Sequence, residues 1–270
     1  MSGFWTLFGV EVRRALARRL VRVLVAVAVL ACAVAGVVVF VTTSAADVAA
    51  ADHHVARLVD LWSNGEDSLL GVTVAFLAIG ALIGGASVVG AEWRAGTVVT
   101  MATWAPRRGR VLLARFAACA VLAAVISVAL QMLLVLAVLP TMLSKGSTSG
   151  IDGAWVGDLA FAVGRSMAIC ALAALVGATV ASIGRNTTAT LAVAFVELAV
   201  VESIVRGVWP ERARWLVGEN LATFLPWRPM ENVSFERGPG LAAVTLLLYA
   251  IVLTVVATVL FRRRDIAATT

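Results

Sequence analysis

The sequence predicts an all-helical integral membrane protein with six transmembrane helices and both termini on one side of the bilayer. Three observations predict it. First, the 270 residues are 61% hydrophobic with a mean hydropathy of +0.97, where a soluble domain is about 45–50% apolar. The excess sits in six runs, each long enough to cross about 30 Å of hydrocarbon as a helix. Second, arginines crowd alternate connecting segments. Third, none of the eight Trp falls at mid-span. The runs consist mainly of Ala, Val, Leu and Gly and lack turn residues at ten-residue intervals, which excludes a membrane β-barrel. They also lack the polar faces of a soluble helical bundle.

The elements follow in order within one transmembrane domain, 1–270. Residues 1–22 form an interfacial helix before the first span. Phe4, Trp5, Leu7, Phe8, Val12 and Leu16 can line one side, with Arg13, Arg14, Arg18 and Arg19 largely elsewhere. Such a helix lies in the membrane surface. The spans are expected at about 23–41, 69–91, 113–139, 160–183, 187–205 and 240–261. Span 1 is too long for the core of a cleaved signal peptide. The segment 42–67 is acidic and polar and reads as a solvated loop. Its adjacent histidines, His53 and His54, project about 100° apart on a helix, and Ala56 and Arg57 supply no further ligand. The segment 206–239 contains Trp209, Trp215, Trp227 and four prolines, and reads as short helices packed back onto the outer membrane face.

Charge orients the bundle. One side receives 14 basic residues, from Arg13 to Arg264, against three acids, Glu11, Glu92 and Asp265. The other side receives eight basic residues against twelve acids. The arginine-rich side should be cytoplasmic, which places both termini inside. The net charge of +6 therefore tracks the membrane rather than a nucleic acid. Trp5, Trp93 and Trp104 fall at the inner boundary and the other five in outer segments, as interfacial anchors do.

Few residues suggest chemistry. Glu197 lies inside span 5, where an ionisable group is costly and marks a functional hypothesis. Arg165 in span 4 and Gln131 in span 3 complete a candidate polar path, although Gln131 also suits an interhelical hydrogen bond. Glu202 and Arg206 form an i,i+4 pair. Gly80, Gly84 and Gly85 in span 2 allow close helix approach. Cys32, Cys119 and Cys170 lie in apolar runs and read as small core residues, with neither a disulfide nor a metal site expected. No cofactor is expected on this chain. Lys145 follows Ser144 rather than preceding a Ser or Thr, so a phosphate-binding loop is absent. Ser87 has no intraspan His as a base.

The segment after span 2 stands apart. Gly90-Ala91-Glu92-Trp93-Arg94-Ala95-Gly96-Thr97 is followed by Val98 to Ala105, then Pro106-Arg107-Arg108-Gly109-Arg110, with Arg115 beyond. Arginines that fix topology, anchoring tryptophans and helix breakers explain much of it. They leave unexplained an amphipathic stretch between two breakers at the membrane surface.

This segment resembles the motif after span 2 of type-2 ATP-binding-cassette permeases. Glu92, Gly96, Thr97, Pro106, Arg107 or Arg108, and Arg115 fill its places, with Arg115 where Lys is usual. Glu11-Val12-Arg13-Arg14 is similar to the acidic-then-basic pattern of the family's N-terminal helix. Phe224-Leu225-Pro226 resembles its outer Leu-Pro segment. The resemblance implies a bacterial inner-membrane permease that exports an amphipathic or lipid-like cargo. It implies two ATPase subunits carrying ATP and magnesium, and a second permease copy or a paralogue. Contact with the ATPase is expected through Glu92, Trp93, Arg94, Gly96, Thr97, Pro106, Arg107, Arg108 and Arg110. A membrane-embedded hydrolase or transferase using Glu197, Ser87 or His53, or a non-transporting anchor, are the other classes to weigh.

Overall fold

The computed structural model describes residues 2–51, 55–61, 69–96, 108–225 and 237–263. Among these the regular structure is helical, and six helices are long and apolar enough to cross a membrane. Helix α1 spans Ser2–Ala17. Arg18, in extended conformation, bends the chain into α2, Arg19–Thr42. A short α3, Ala45–Ala50, is capped by Ser44, whose Oγ accepts from the Asp47 amide. Helix α4 covers Leu69–Arg94, α5 Arg108–Ser144 and α6 Gly153–Gly184.

The six long helices correspond to the six expected spans, but α5 and α6 are longer, at 37 and 32 residues. At 1.5 Å per residue that is about 56 and 48 Å, well beyond a 30 Å core. Apolar periodicity stops where hydrocarbon stops, whereas helical hydrogen bonding continues through Arg108-Gly109-Arg110 at one end and Pro140 to Ser144 at the other.

Spans 4 and 5 form a tight hairpin. Arg185 adopts the left-handed conformation, φ 54°. Asn186 then caps the next helix by accepting from the Thr188 amide at 2.8 Å. The fifth span comprises α7, Thr187–Phe195, a π-helical turn, Val196–Val201, and α8, Glu202–Val208. A 3₁₀ turn, Pro210–Trp215, and α9, Val217–Phe224, follow as expected for short helices. Helix α10, Pro239–Arg263, ends the described chain.

Small residues set the packing. A Cβ at Gly85 would collide with the Ala174 carbonyl, and one at Gly177 with that of Leu82, so α4 and α6 approach backbone to backbone. Where lipid removes the hydrophobic drive between helices, such close packing holds them together. One core cluster joins Ala86, Val89, Leu112, Phe116, Ala178 and Ala257 at the arginine-rich end. A second joins Cys32, Leu61, Leu134, Val138 and Met142 at the other.

Leu61 changes the expected picture of the first loop. Ala56 and Leu61 are fully buried, and the Leu58 amide donates to Ser147 O at 3.1 Å. The described part of this loop therefore seals one end of the bundle rather than standing in solvent. Val55, Leu58 and Leu61, spaced by three, carry that contact.

Candidate functional site: a buried ion network at the end of span 2

Helix α1 is amphipathic, and it turns inward a narrow strip of Glu11 and Ala15, with Leu7, Phe8 and Val12 half-buried and Arg13 and Arg14 exposed. Trp5 and Leu16 are exposed, while Glu11 and Ala15 are buried. Apolar side chains on the outer side suit a helix lying in lipid. The buried Glu11 needs a partner, because an unpaired charge away from water is costly.

Arg115, in the second turn of α5, is that partner. Its Nε donates to Glu11 Oε2 at 2.8 Å and its Nη2 to Glu11 Oε1 at 3.2 Å. This two-pronged geometry is specific to a guanidinium. Its Nη1 donates to Glu92 Oε2 in the last turn of α4. Both Arg115 and Glu11 side chains are only 4% exposed. Arg18 closes the network from the α1–α2 bend, with Nη2 on Glu92 Oε1 at 3.2 Å and Nη1 on the Ser87 carbonyl at 2.9 Å. Burial pushes the Arg18 guanidinium below the usual arginine value and Glu92 pulls it back up; a guanidinium keeps its charge in either case. Arg14 adds a half-exposed contact to Glu11 at 3.3 Å.

Two carboxylates thus face two buried or half-buried guanidiniums, and three separate segments are tied together. The end of α4 is also gripped from its other sides. Trp93 meets Phe261 of α10 edge to face, centroids 6.1 Å apart. Arg185, at the span 4–5 turn, lies 4.9 Å over the Trp93 ring. Gly90 abuts Thr187, with no room for a Cβ. The final turns of α4 are therefore a junction for α1, α5, α10 and the α6–α7 turn.

Of the residues expected to meet an ATPase, Glu92 and Trp93 are in this junction and Gly96 follows it with φ 67°. Arg94 closes α4, and Arg108 and Arg110 open α5. Thr97, Pro106 and Arg107 lie outside the described residues, as do His53, His54 and Pro226. The roles of Glu11 and Arg115 as partners, and the part of Arg18, escaped sequence reading. A signal existed: Glu11 and Glu92 are two of the three acids among 14 basic residues on this side.

The candidate path residues are dispersed. Gln131 is fully buried and donates to Ser127 Oγ at 3.0 Å. Arg165 lies over Phe161 and Phe224, 4.2 and 5.7 Å from the ring centroids. Glu197 is half-buried on the π-helical turn of span 5. Among the described residues, no hydrogen bond or ion pair joins these three. Gly85 makes a close helix contact, but a Cβ at Gly80 or Gly84 would meet nothing within 4 Å. Of these three glycines only Gly85 makes the expected close approach, and the Gly80–Gly84 face borders open space.

A second ion network stands at the opposite end. Arg206 donates from Nε to Glu219 Oε1 at 2.6 Å and from Nη2 to Glu202 Oε2 at 2.7 Å. Glu202 Oε1 also accepts from the Gly218 amide at 2.5 Å. The expected Glu202–Arg206 pair is thus part of a clamp that holds α9 onto α8. Among the described residues, no cluster of three His, Cys, Asp or Glu side chains could hold a metal. Neither a protein-family model nor a curated protein sequence matches this chain.

Proposed function

We propose that this chain is the permease subunit of an ATP-binding-cassette exporter in a bacterial cytoplasmic membrane, with its arginine-rich end inside. The observation that carries the reading is the junction at the end of α4. The segment 95–107, which leaves that junction, resembles the ATPase-docking segment of type-2 permeases. Force applied there meets α1, α5, α10 and the span 4–5 turn through short, directional contacts. A membrane anchor needs no such mechanical cross-connection.

In this reading two ATPase subunits bind ATP and magnesium and close on one another. ATP drives the change because it binds the closed pair better than the open pair. Arg107, Arg108 and Arg110 meet acidic ATPase surface. Glu92 transmits the displacement of its helix end to Arg18 and Arg115. A second permease copy or paralogue covers span 5, where Phe195, Val196 and Ile204 are exposed and where Glu197 would otherwise face lipid. The described spans carry few unpaired charges, which suits an amphipathic or lipid-like cargo.

The test is a mild-detergent pull-down of the tagged chain from its native cell. A soluble ATPase should accompany it in stoichiometric amount; its absence even after crosslinking would overturn the reading. In the reconstituted complex, Arg107→Ala should leave ATP hydrolysis running while transport falls.

A further inference from the structure

The fifth span is fastened at its two ends. At its start Thr190 is buried and Thr187 abuts Gly90. At its far end Glu202 is buried in the clamp with Arg206 and Gly218. From 191 to 201, about 16 Å of helix, no residue is buried. Val193, Phe195, Val196, Leu198, Val200 and Val201 are each more than 40% exposed.

Glu197 stands in the middle of this stretch, within the π-helical turn, an irregularity concentrated at functional sites. Among the described residues its carboxyl has no hydrogen bond or ion pair. The other two polar side chains between 191 and 205 are engaged. Glu202 is in the clamp, and Ser203 Oγ donates to the Ala199 carbonyl at 2.7 Å.

Depth decides what can meet this carboxyl. Arg185, stacked on Trp93, marks the arginine-rich border. Glu197 lies about 18 Å from it along the span, near the middle of a hydrocarbon core of about 30 Å. Lipid chains offer no hydrogen bond there, and a carboxyl left without one is costly. The basic residues of the long helices stand nearer the two borders; even Arg165 and Arg206 are about 30 Å of helix from Arg185. A second copy, related by a two-fold axis along the membrane normal, sets equal depths side by side. It brings no cation to Glu197, but it brings its own Glu197. A carboxyl is self-complementary, since its protonated form donates through O–H and accepts through C=O. That suits an isologous contact, where the same patch serves on both subunits.

We propose that span 5 is the contact between two identical copies of this chain, with the two Glu197 carboxyls hydrogen-bonded to each other across the axis. At least one of them holds a proton taken from water. The proposal rests on the function proposed above only for the presence of a second copy, and it makes that copy identical.

The test is disulfide crosslinking in native membranes of the full chain carrying Val193→Cys or Val201→Cys, one turn either side of Glu197. Covalent dimer should form at one or both positions. Val125→Cys, at a site 60% exposed on α5, should stay monomeric. So should the unaltered chain, whose Cys32, Cys119 and Cys170 are buried. Adding Glu197→Gln should preserve the yield, because two amides also pair. Adding Glu197→Lys to both copies should lower it more than about tenfold, since two ammonium groups then meet in hydrocarbon. Two differently tagged copies, one with Glu197→Lys and one with Glu197 intact, should recover it. Dimer from neither cysteine position, equal yields from the Lys–Lys and Glu–Glu pairs, or no recovery in the mixed pair would each overturn the proposal. So would crosslinks from these cysteines to a different polypeptide. Should Glu197→Lys fail to accumulate, the two cysteine positions decide alone, because they keep Glu197. No ATPase enters the readout. Self-crosslinking without a co-purifying ATPase removes the transporter reading and leaves this one; an ATPase without self-crosslinking does the reverse.

Discussion

Replacing Arg115 by Met removes three charge-assisted hydrogen bonds from the middle of the network and leaves Glu11 facing only the half-exposed Arg14. Breaking a buried ion pair in this way costs about 3–5 kcal/mol. The lower end applies here, because the Glu92 side chain is 12% exposed and keeps Arg18. About 3 kcal/mol corresponds to a fall of roughly 6–12 °C in the unfolding midpoint for a chain of this size. The assay is thermal unfolding in mild detergent, followed by the loss of the monodisperse species. The combined variant Glu11→Gln, Arg115→Met should recover most of the loss, because the penalty lies in stranded charge rather than in missing attraction and Glu92 still has Arg18. Arg115→Lys should fall between, since an ammonium cannot span two carboxylates with a planar fork. A loss below about 1 kcal/mol for Arg115→Met, or Glu11→Gln and Arg115→Met effects that add to within about 0.5 kcal/mol, would refute the reasoning.

Two glycines one position apart should behave oppositely. Gly85→Ala drives a methyl group into the Ala174 carbonyl and should destabilise by about 1–3 kcal/mol, whereas Gly84→Ala meets open space and should be neutral or stabilising. Matching midpoints for the two would contradict the described α4–α6 contact. At the opposite end, Glu202→Ala strands the Gly218 amide and loosens Arg206. Protease cleavage or amide exchange within 209–225 should accelerate selectively, with the spans unaffected; uniform protection would show that the clamp holds nothing.

The six spans were legible because hydrophobic length is a one-dimensional property. Their true ends were less so: α5 runs on to Ser144 through Pro140, where hydrogen bonding and not hydropathy decides. The ion network was half legible. Glu11, Glu92 and Arg115 each stood out singly, through resemblance and through the scarcity of acids on that side. Their meeting depends on α1 turning Glu11 inward beside Ala15 while Arg13 and Arg14 stay exposed, and an amphipathic pattern does not say which strip faces protein when the alternative surroundings are lipid. Arg18 was hidden among Arg13, Arg14, Arg19 and Arg22. Only its place at the extended bend between α1 and α2 separates it from them. The buried Leu61 was missed for a related reason, since its acidic neighbours set the average character of the loop.

The inward-facing Glu11 also bears on the order in which the protein is made. Its partner Arg115 lies 104 residues later in the chain. At about 5–20 residues per second, the ribosome needs roughly 5–20 s to deliver that guanidinium. Until then the Glu11 carboxylate has only Arg14 of its own helix as a partner. Helix α1 is thus made well before it is fastened, and its docking marks the moment when the third span has arrived.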